Sequence, residues 1–136
     1  MTMKPPYKIF SLEEADALIP QLEALLSEIE KKQETFHRLQ DELFFEELLG
    51  DAPPSELQMK ELDHSLDGLE KELKVIRSLG CLLRHPERGL VDFLAEAGNE
   101  WIYYCWRRGE SKIEFYHTLQ GGYFERRPLA RSGAGV

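Results

Sequence analysis

The 136-residue sequence predicts an α+β fold, a long antiparallel two-helix hairpin followed by a small four-stranded antiparallel β-meander. Three observations predict it. Apolar residues recur at spacings of three and four through the first 79 positions, which is helical periodicity. That period stops at Gly80. Beyond it come short β-prone runs separated by turn signals. The length suits one modest hydrophobic core. The expected organisation is therefore a single domain over 1–136, with the hairpin at about 11–79, the meander at about 81–129 and a flexible tail at 130–136.

The first helix starts at Ser11, because Glu14 three residues on completes a capping box that satisfies two otherwise orphaned amides. Its stripe runs through Ala15, Leu18, Leu22, Leu25, Ile29, Phe36, Leu39 and Leu43, to about Leu49. Pro20 lacks an amide hydrogen and crowds the carbonyl of Asp16, so a kink or short break is expected near the end of the second turn. "GDAPPS" at Gly50 to Ser55 stops the helix and restarts the next, with Ser55 and Gln58 as a second capping box. Met59, Leu62, Leu66, Leu69, Leu73 and Ile76 then form the seam of an antiparallel, coiled-coil-like partner that ends at Gly80. At ~1.5 Å per residue the two helices span roughly 57 and 36 Å. The overhang needs cover, from the sheet or from a second copy of the chain.

In the second half, turns are expected at Pro86 to Gly89, Gly98-Asn99 and Gly109 to Ser111. Closing the Gly98-Asn99 hairpin sets Ala97 opposite Glu100, Phe93 opposite Tyr104 and Asp92 opposite Cys105. A tight turn at Gly109-Glu110 sets Trp106 opposite Ile113 and Cys105 opposite Glu114. A four-residue loop at His85 to Arg88 sets Cys81 opposite Asp92. Strand side chains alternate, so this register sorts the sheet into two faces. One is apolar and should pack on the helices: Leu82, Val91, Phe93, Ala95, Ile102, Tyr104, Trp106, Ile113 and Phe115, with His117 at its edge. The other is mixed, with Cys81, Leu83, Leu90, Asp92, Leu94, Trp101, Tyr103, Cys105, Arg107, Glu114 and Tyr116, and is too apolar to stand bare.

Charge restricts the partners. The net charge of −8 argues against non-specific nucleic-acid binding, which needs a basic stripe. No apolar run is long enough to span a membrane, and the amino terminus lacks a signal-peptide core. Two cysteines without a disulfide framework suit a reducing compartment, so a cytoplasmic location is expected. Residues 1–80 carry 18 acidic and 9 basic side chains, whereas 81–136 carry 7 and 8. Seven of those 8 are arginines, whose planar forks grip carboxylate or phosphate, so a small anionic ligand is conceivable there. Surface pairing with Glu87, Glu96, Glu110 and Glu125 is the simpler account of them.

The candidate ligand-binding residues are Asp92, Cys105, Arg107, Glu110, His117, Arg126 and Arg127. Cys81, Asp92, Cys105 and Glu114 would form a row across the strands. A flat row does not converge on a tetrahedron, so no metal or cofactor is expected, and Asp92 is expected to pair with Arg107. In this register His117 lies on the face opposite Cys105, which leaves that thiol without a neighbouring base. Arg126 and Arg127, after the Gly121-Gly122 turn, are placed to flank a bound anion.

"FSLEEA" at 10–15, "RGLVDF" at 88–93, "CWRRGE" at 105–110, "IEFYH" at 113–117 and "GGYFERRPL" at 121–129 together resemble the signature segments of the bacterial domain-of-unknown-function family 2203. The resemblance covers nearly the whole chain and implies a small cytoplasmic bacterial protein, with no activity to carry over. Two functional classes follow from the residues. One is a non-catalytic binding or assembly module, expected as a homodimer or with a protein partner. The other is a small enzyme or anion-ligand binder using the Asp92, Cys105, Arg107 and His117 region.

Overall fold

The computed structural model describes residues 8–50 and 53–130. Three helices precede a sheet: α1 (Leu12–Ala17), α2 (Ile19–Leu49) and α3 (Glu56–Ser78). The strands are β1 (Leu82–His85), β2 (Leu90–Ala97), β3 (Glu100–Arg107), β4 (Phe115–Thr118) and β5 (Arg127–Pro128). A short 3-10 turn, Tyr123–Glu125, precedes the last strand. The α+β class holds, but the sheet has five antiparallel strands in sequential order, not four. Ser11 and Glu14 make both bonds of the expected capping box. Ser55 and Gln58 make the second, at 2.8 and 3.1 Å. The expected interruption falls at Leu18, between α1 and α2, which leaves Pro20 in the first turn of α2 where its missing amide hydrogen costs nothing. Among the described residues no helix is long and apolar enough to cross a membrane.

The chain divides into two compact units. The first takes residues up to Leu26 and from Ile76 onward. In it Phe10, Ala15, Leu22, Leu26 and Ile76 are buried together with Val91, Phe93, Ala95, Ile102, Trp106 and Ile113 from the sheet segment. Phe10 meets Phe93 edge-on at 5.1 Å between ring centroids. Its amide also donates to the Leu94 carbonyl at 2.7 Å, prolonging the sheet where β1 has ended. Asp16 accepts from the Ile113 amide at 2.9 Å and Glu23 from the Gly109 amide at 3.1 Å, so the amino-terminal helices and the β3–β4 loop are tied together.

The second unit, Ser27–Val75, is the helical hairpin. Lys32 pairs with Glu72 at 2.8 Å, and Gln58 donates to Glu46 at 2.6 Å, which fixes the antiparallel register of the two helices. Of the tail expected at 130–136, residues 131–136 lie outside the described residues.

Sheet register decides which side chains meet. β2 and β3 pair as expected, with Asp92 opposite Cys105, Phe93 opposite Tyr104 and Ala97 opposite Glu100. Two other pairings differ by one residue. β4 sets Phe115 opposite Cys105 and His117 opposite Tyr103, where Glu114 was expected opposite Cys105. The cause is the connection: Glu110 closes a turn on Arg107, Trp106 Nε1 donates to the Glu110 carbonyl at 2.9 Å, and Asp16 holds the Ile113 amide. Strand pairing therefore resumes only at Phe115. β1 sets Leu82 opposite Asp92, where Cys81 was expected, and its register shifts between Leu83 and His85. Arg84 is the extra residue of that bulge.

Candidate functional site

A one-residue slip moves every side chain of a strand to the other face. Leu82, Phe115 and His117 therefore leave the apolar face to which they were assigned, Leu83 and Tyr116 leave the mixed one, and Cys81 and Glu114 fall outside the strands. Trp106 remains opposite Val91, on the face away from Asp92. The expected row of Cys81, Asp92, Cys105 and Glu114 does not form. In its place Asp92 on β2, Cys105 on β3 and His117 on β4 converge, each about 97 to 99% buried. One ligand-type atom from each lies within 4.8 Å of the others.

His117 Nε2 is 3.1 Å from Asp92 Oδ2, and His117 Nδ1 is 2.7 Å from the carbonyl of Thr118. A carbonyl only accepts, so Nδ1 carries the proton and Nε2 is the nitrogen that faces the carboxylate. Tyr103 packs against the imidazole, 5.5 Å between centroids. Arg84 donates from Nε to Asp92 Oδ2 at 3.0 Å and lies over the Tyr103 ring at 5.1 Å. The bulge delivers Arg84 to this position, and it occupies the place expected of Arg107.

Above the trio opens a pocket of about 300 Å³. Its rim includes Arg84, His85 and Arg88 from the β1–β2 connection, and Gly121, Gly122, Tyr123 and Phe124 from the segment after β4. Burial, followed by the charge of Asp92, pushes the Cys105 thiol up to about 12 despite the opposing pull of Arg126. Cys81 lies apart, with its thiol directed at the Ile76 carbonyl, and burial pushes it up to about 11. Both cysteines are free and buried. A thiol held protonated is a poor nucleophile but remains a competent metal ligand once its proton is displaced.

The other candidates fall elsewhere. Glu110 accepts from Arg126 Nη2 through both carboxylate oxygens, and the same nitrogen reaches the Cys105 carbonyl at 3.1 Å. The Arg126 guanidinium stacks between Phe115 and Tyr123, at 4.1 and 4.8 Å. This pair braces the back of the site and does not line the pocket. Arg107 is exposed, with Nη1 3.1 Å from the Tyr123 hydroxyl. Arg127 is exposed on β5 opposite Tyr116 and does not join the trio. Sequence reasoning missed Arg84, Arg88 and His85 as pocket residues, because the bulge that turns Arg84 toward Asp92 has no signature in a run such as "LLRHPE".

The fold and site together describe an α+β protein with a polar trio buried on one face of an antiparallel sheet, beneath an arginine-rimmed pocket. The chain belongs to the family described as uncharacterized conserved protein (DUF2203), whose model matches residues 8–129. No curated protein and no solved structure matches the chain.

Proposed function

We propose that this protein is a non-catalytic binding module whose pocket takes a small anionic molecule. The observation that carries the reading is the placement of Arg84 and Arg88 at the mouth of a pocket of about 300 Å³, a size suited to a small ligand. Arg84 spends one nitrogen on Asp92 and its side chain is 46% exposed, so part of its fork stays within reach of a ligand. The exposed backbone at Gly122, beside half-buried Gly121, adds a surface that a ligand can approach closely. The non-catalytic half of the reading rests on Cys105, whose thiol is held protonated, and on Arg107, which stands away from the trio. Two buried free thiols fit a reducing, cytoplasmic setting.

The test is a titration of the metal-free full chain with inorganic phosphate and with acetate, followed by amide chemical shifts. Saturable shifts at Gly121 and Gly122, weakened about tenfold in Arg88→Gln, a loss of ~1.4 kcal/mol, are expected. Shifts confined to other surfaces overturn the reading.

Assembly is a second reading, favoured by one observation in the helical hairpin. Phe44, Phe45, Leu48, Leu49 and Leu57 expose large apolar surface near its turn. A second copy of the chain is the partner this reading names. Light scattering should give twice the monomer mass, reverting to the monomer in Phe45→Glu/Leu49→Glu.

A further inference from the structure

We infer that Asp92, Cys105 and His117 bind a divalent transition metal of the zinc class at the floor of the pocket. This deepens the pocket reading and rests on it only for the fourth ligand.

The argument starts from His117. With Nδ1 donating to the Thr118 carbonyl, the ring turns Nε2 toward Asp92 Oδ2, 3.1 Å away. That oxygen is itself an acceptor, already serving Arg84. A proton on Nε2 closes this contact as a hydrogen bond, and a metal ion held by both groups closes it by shared ligation. An imidazole whose outer nitrogen is fixed by a carbonyl is also the usual arrangement of a metal-bound histidine, since the outer bond sets tautomer and ring orientation.

Cys105 distinguishes a metal from a proton. An imidazolium–carboxylate pair is complete with two residues and gains nothing from a thiol. A zinc-class ion takes nitrogen, oxygen and sulfur together, and all three donors lie within 4.8 Å of one another. On a tetrahedron with bonds of about 2.0 to 2.3 Å, donors sit roughly 3.3 to 3.7 Å apart. The observed cluster therefore needs the Asp92–His117 separation to open by a few tenths of an ångström and the longest to close by about 1 Å.

Charge agrees with the geometry. On binding, the Cys105 proton leaves to solvent, and thiolate plus carboxylate neutralise a divalent ion. Arg84 and Arg88 then leave a positive excess at the mouth of the site. Three protein ligands leave one position open, and the cavity lies over it. An anionic group, a carboxylate or a phosphate oxygen, is the chemistry that completes the sphere.

The experiment loads the chelator-stripped full chain with cobalt(II) and records its absorption, with zinc added afterwards as competitor. One equivalent of cobalt is expected to give a sulfur-to-cobalt charge-transfer band and intense tetrahedral d–d bands, both bleached by zinc. In Cys105→Ser the charge-transfer band is lost. In His117→Gln affinity falls by at least about a hundredfold, beyond what losing an outer-shell partner produces. Cys81→Ala, altering the other buried thiol, leaves the spectrum unchanged. If the wild-type chain shows no charge-transfer band, the inference is overturned without recourse to any variant. A band that survives Cys105→Ser and disappears in Cys81→Ala overturns it as well. Acetate then separates the two readings. If the metal binds as expected but acetate leaves the d–d bands unmoved, the anion pocket fails and the metal site stands. If acetate shifts Gly121 and Gly122 in a chain that binds no cobalt, the pocket stands and the metal site fails.

Discussion

A single nitrogen of Arg126, Nη2, bonds both carboxylate oxygens of Glu110, at 2.7 and 2.9 Å, from a side chain only 10% exposed. The same nitrogen caps the Cys105 carbonyl, so one ion pair links the β3–β4 loop, the middle of β3 and the approach to β5. Removing one partner strands a mostly buried charge. Glu110→Gln is expected to lose about 2 to 3 kcal/mol in urea unfolding, toward the lower end for buried pairs because Glu110 is a quarter exposed. Glu110→Gln/Arg126→Met should cost less than the sum of its two single changes, since the double variant leaves no charge unpaired.

Two turn glycines separate backbone strain from steric clash. Gly98 and Gly89 both hold positive φ, 63° and 65°. A Cβ at Gly98 meets nothing within 4 Å, whereas one at Gly89 would stand 2.6 Å from the Arg108 Cβ. Gly98→Ala should cost about 1 kcal/mol from the left-handed conformation alone. Gly89→Ala should cost at least about twice that, because the turn and β3 must also move apart. Paired denaturation curves give the comparison directly.

The buried thiols make stability fall in alkali. Burial raises Cys81 from 9.0 to about 11, and burial with the Asp92 charge raises Cys105 from 9.0 to about 12. The unfolded chain loses these protons first, so the stabilisation is complete below about pH 9 and declines as pH rises toward the folded values. Unfolding midpoints of the metal-free chain should drop between pH 9 and 11, with a shallower slope in Cys81→Ala. At pH 7 a disulfide reagent should find no fast thiol in the native chain and two after denaturation.

Trp106 is fully buried and also holds the β3–β4 loop through its indole nitrogen. Trp106→Ala should cost at least 3 to 5 kcal/mol, roughly the range for a large buried aromatic, and Trp106→Phe should recover most of the packing but not the bond. Ser11→Ala, which removes only a cap at the surface, should cost about 1 kcal/mol. Thermal unfolding monitored by circular dichroism ranks the three.

Much of this architecture was legible in the chain because local chemistry dictated it. Ser11-Glu14 and Ser55-Gln58 mark helix starts, and Gly98-Asn99 closes a two-residue hairpin, which fixes the β2–β3 register to the residue. The pairing of Asp92 with Cys105 follows from that turn alone. What could not be read was set by distant contacts. Asp16 and Trp106 hold the β3–β4 loop open as far as Glu114, and the bulge at Arg84 arises within β1, so neither leaves a local signal. His117 was consequently assigned to the wrong face, and Arg84 was not recognised as the partner of Asp92. Asp92, Cys105 and His117 were among the seven residues singled out, but their convergence on one face was not foreseen.

The β3–β4 connection bears on how this protein can vary. Residues 108–114 separate the two strands, and β4 sets its imidazole on the side of Asp92 because Phe115 lies opposite Cys105. An insertion that slides β4 by one residue exchanges its two surfaces and disassembles the trio even if every residue of the cluster is kept. An insertion absorbed within the irregular connection, ahead of Phe115, leaves the trio in place.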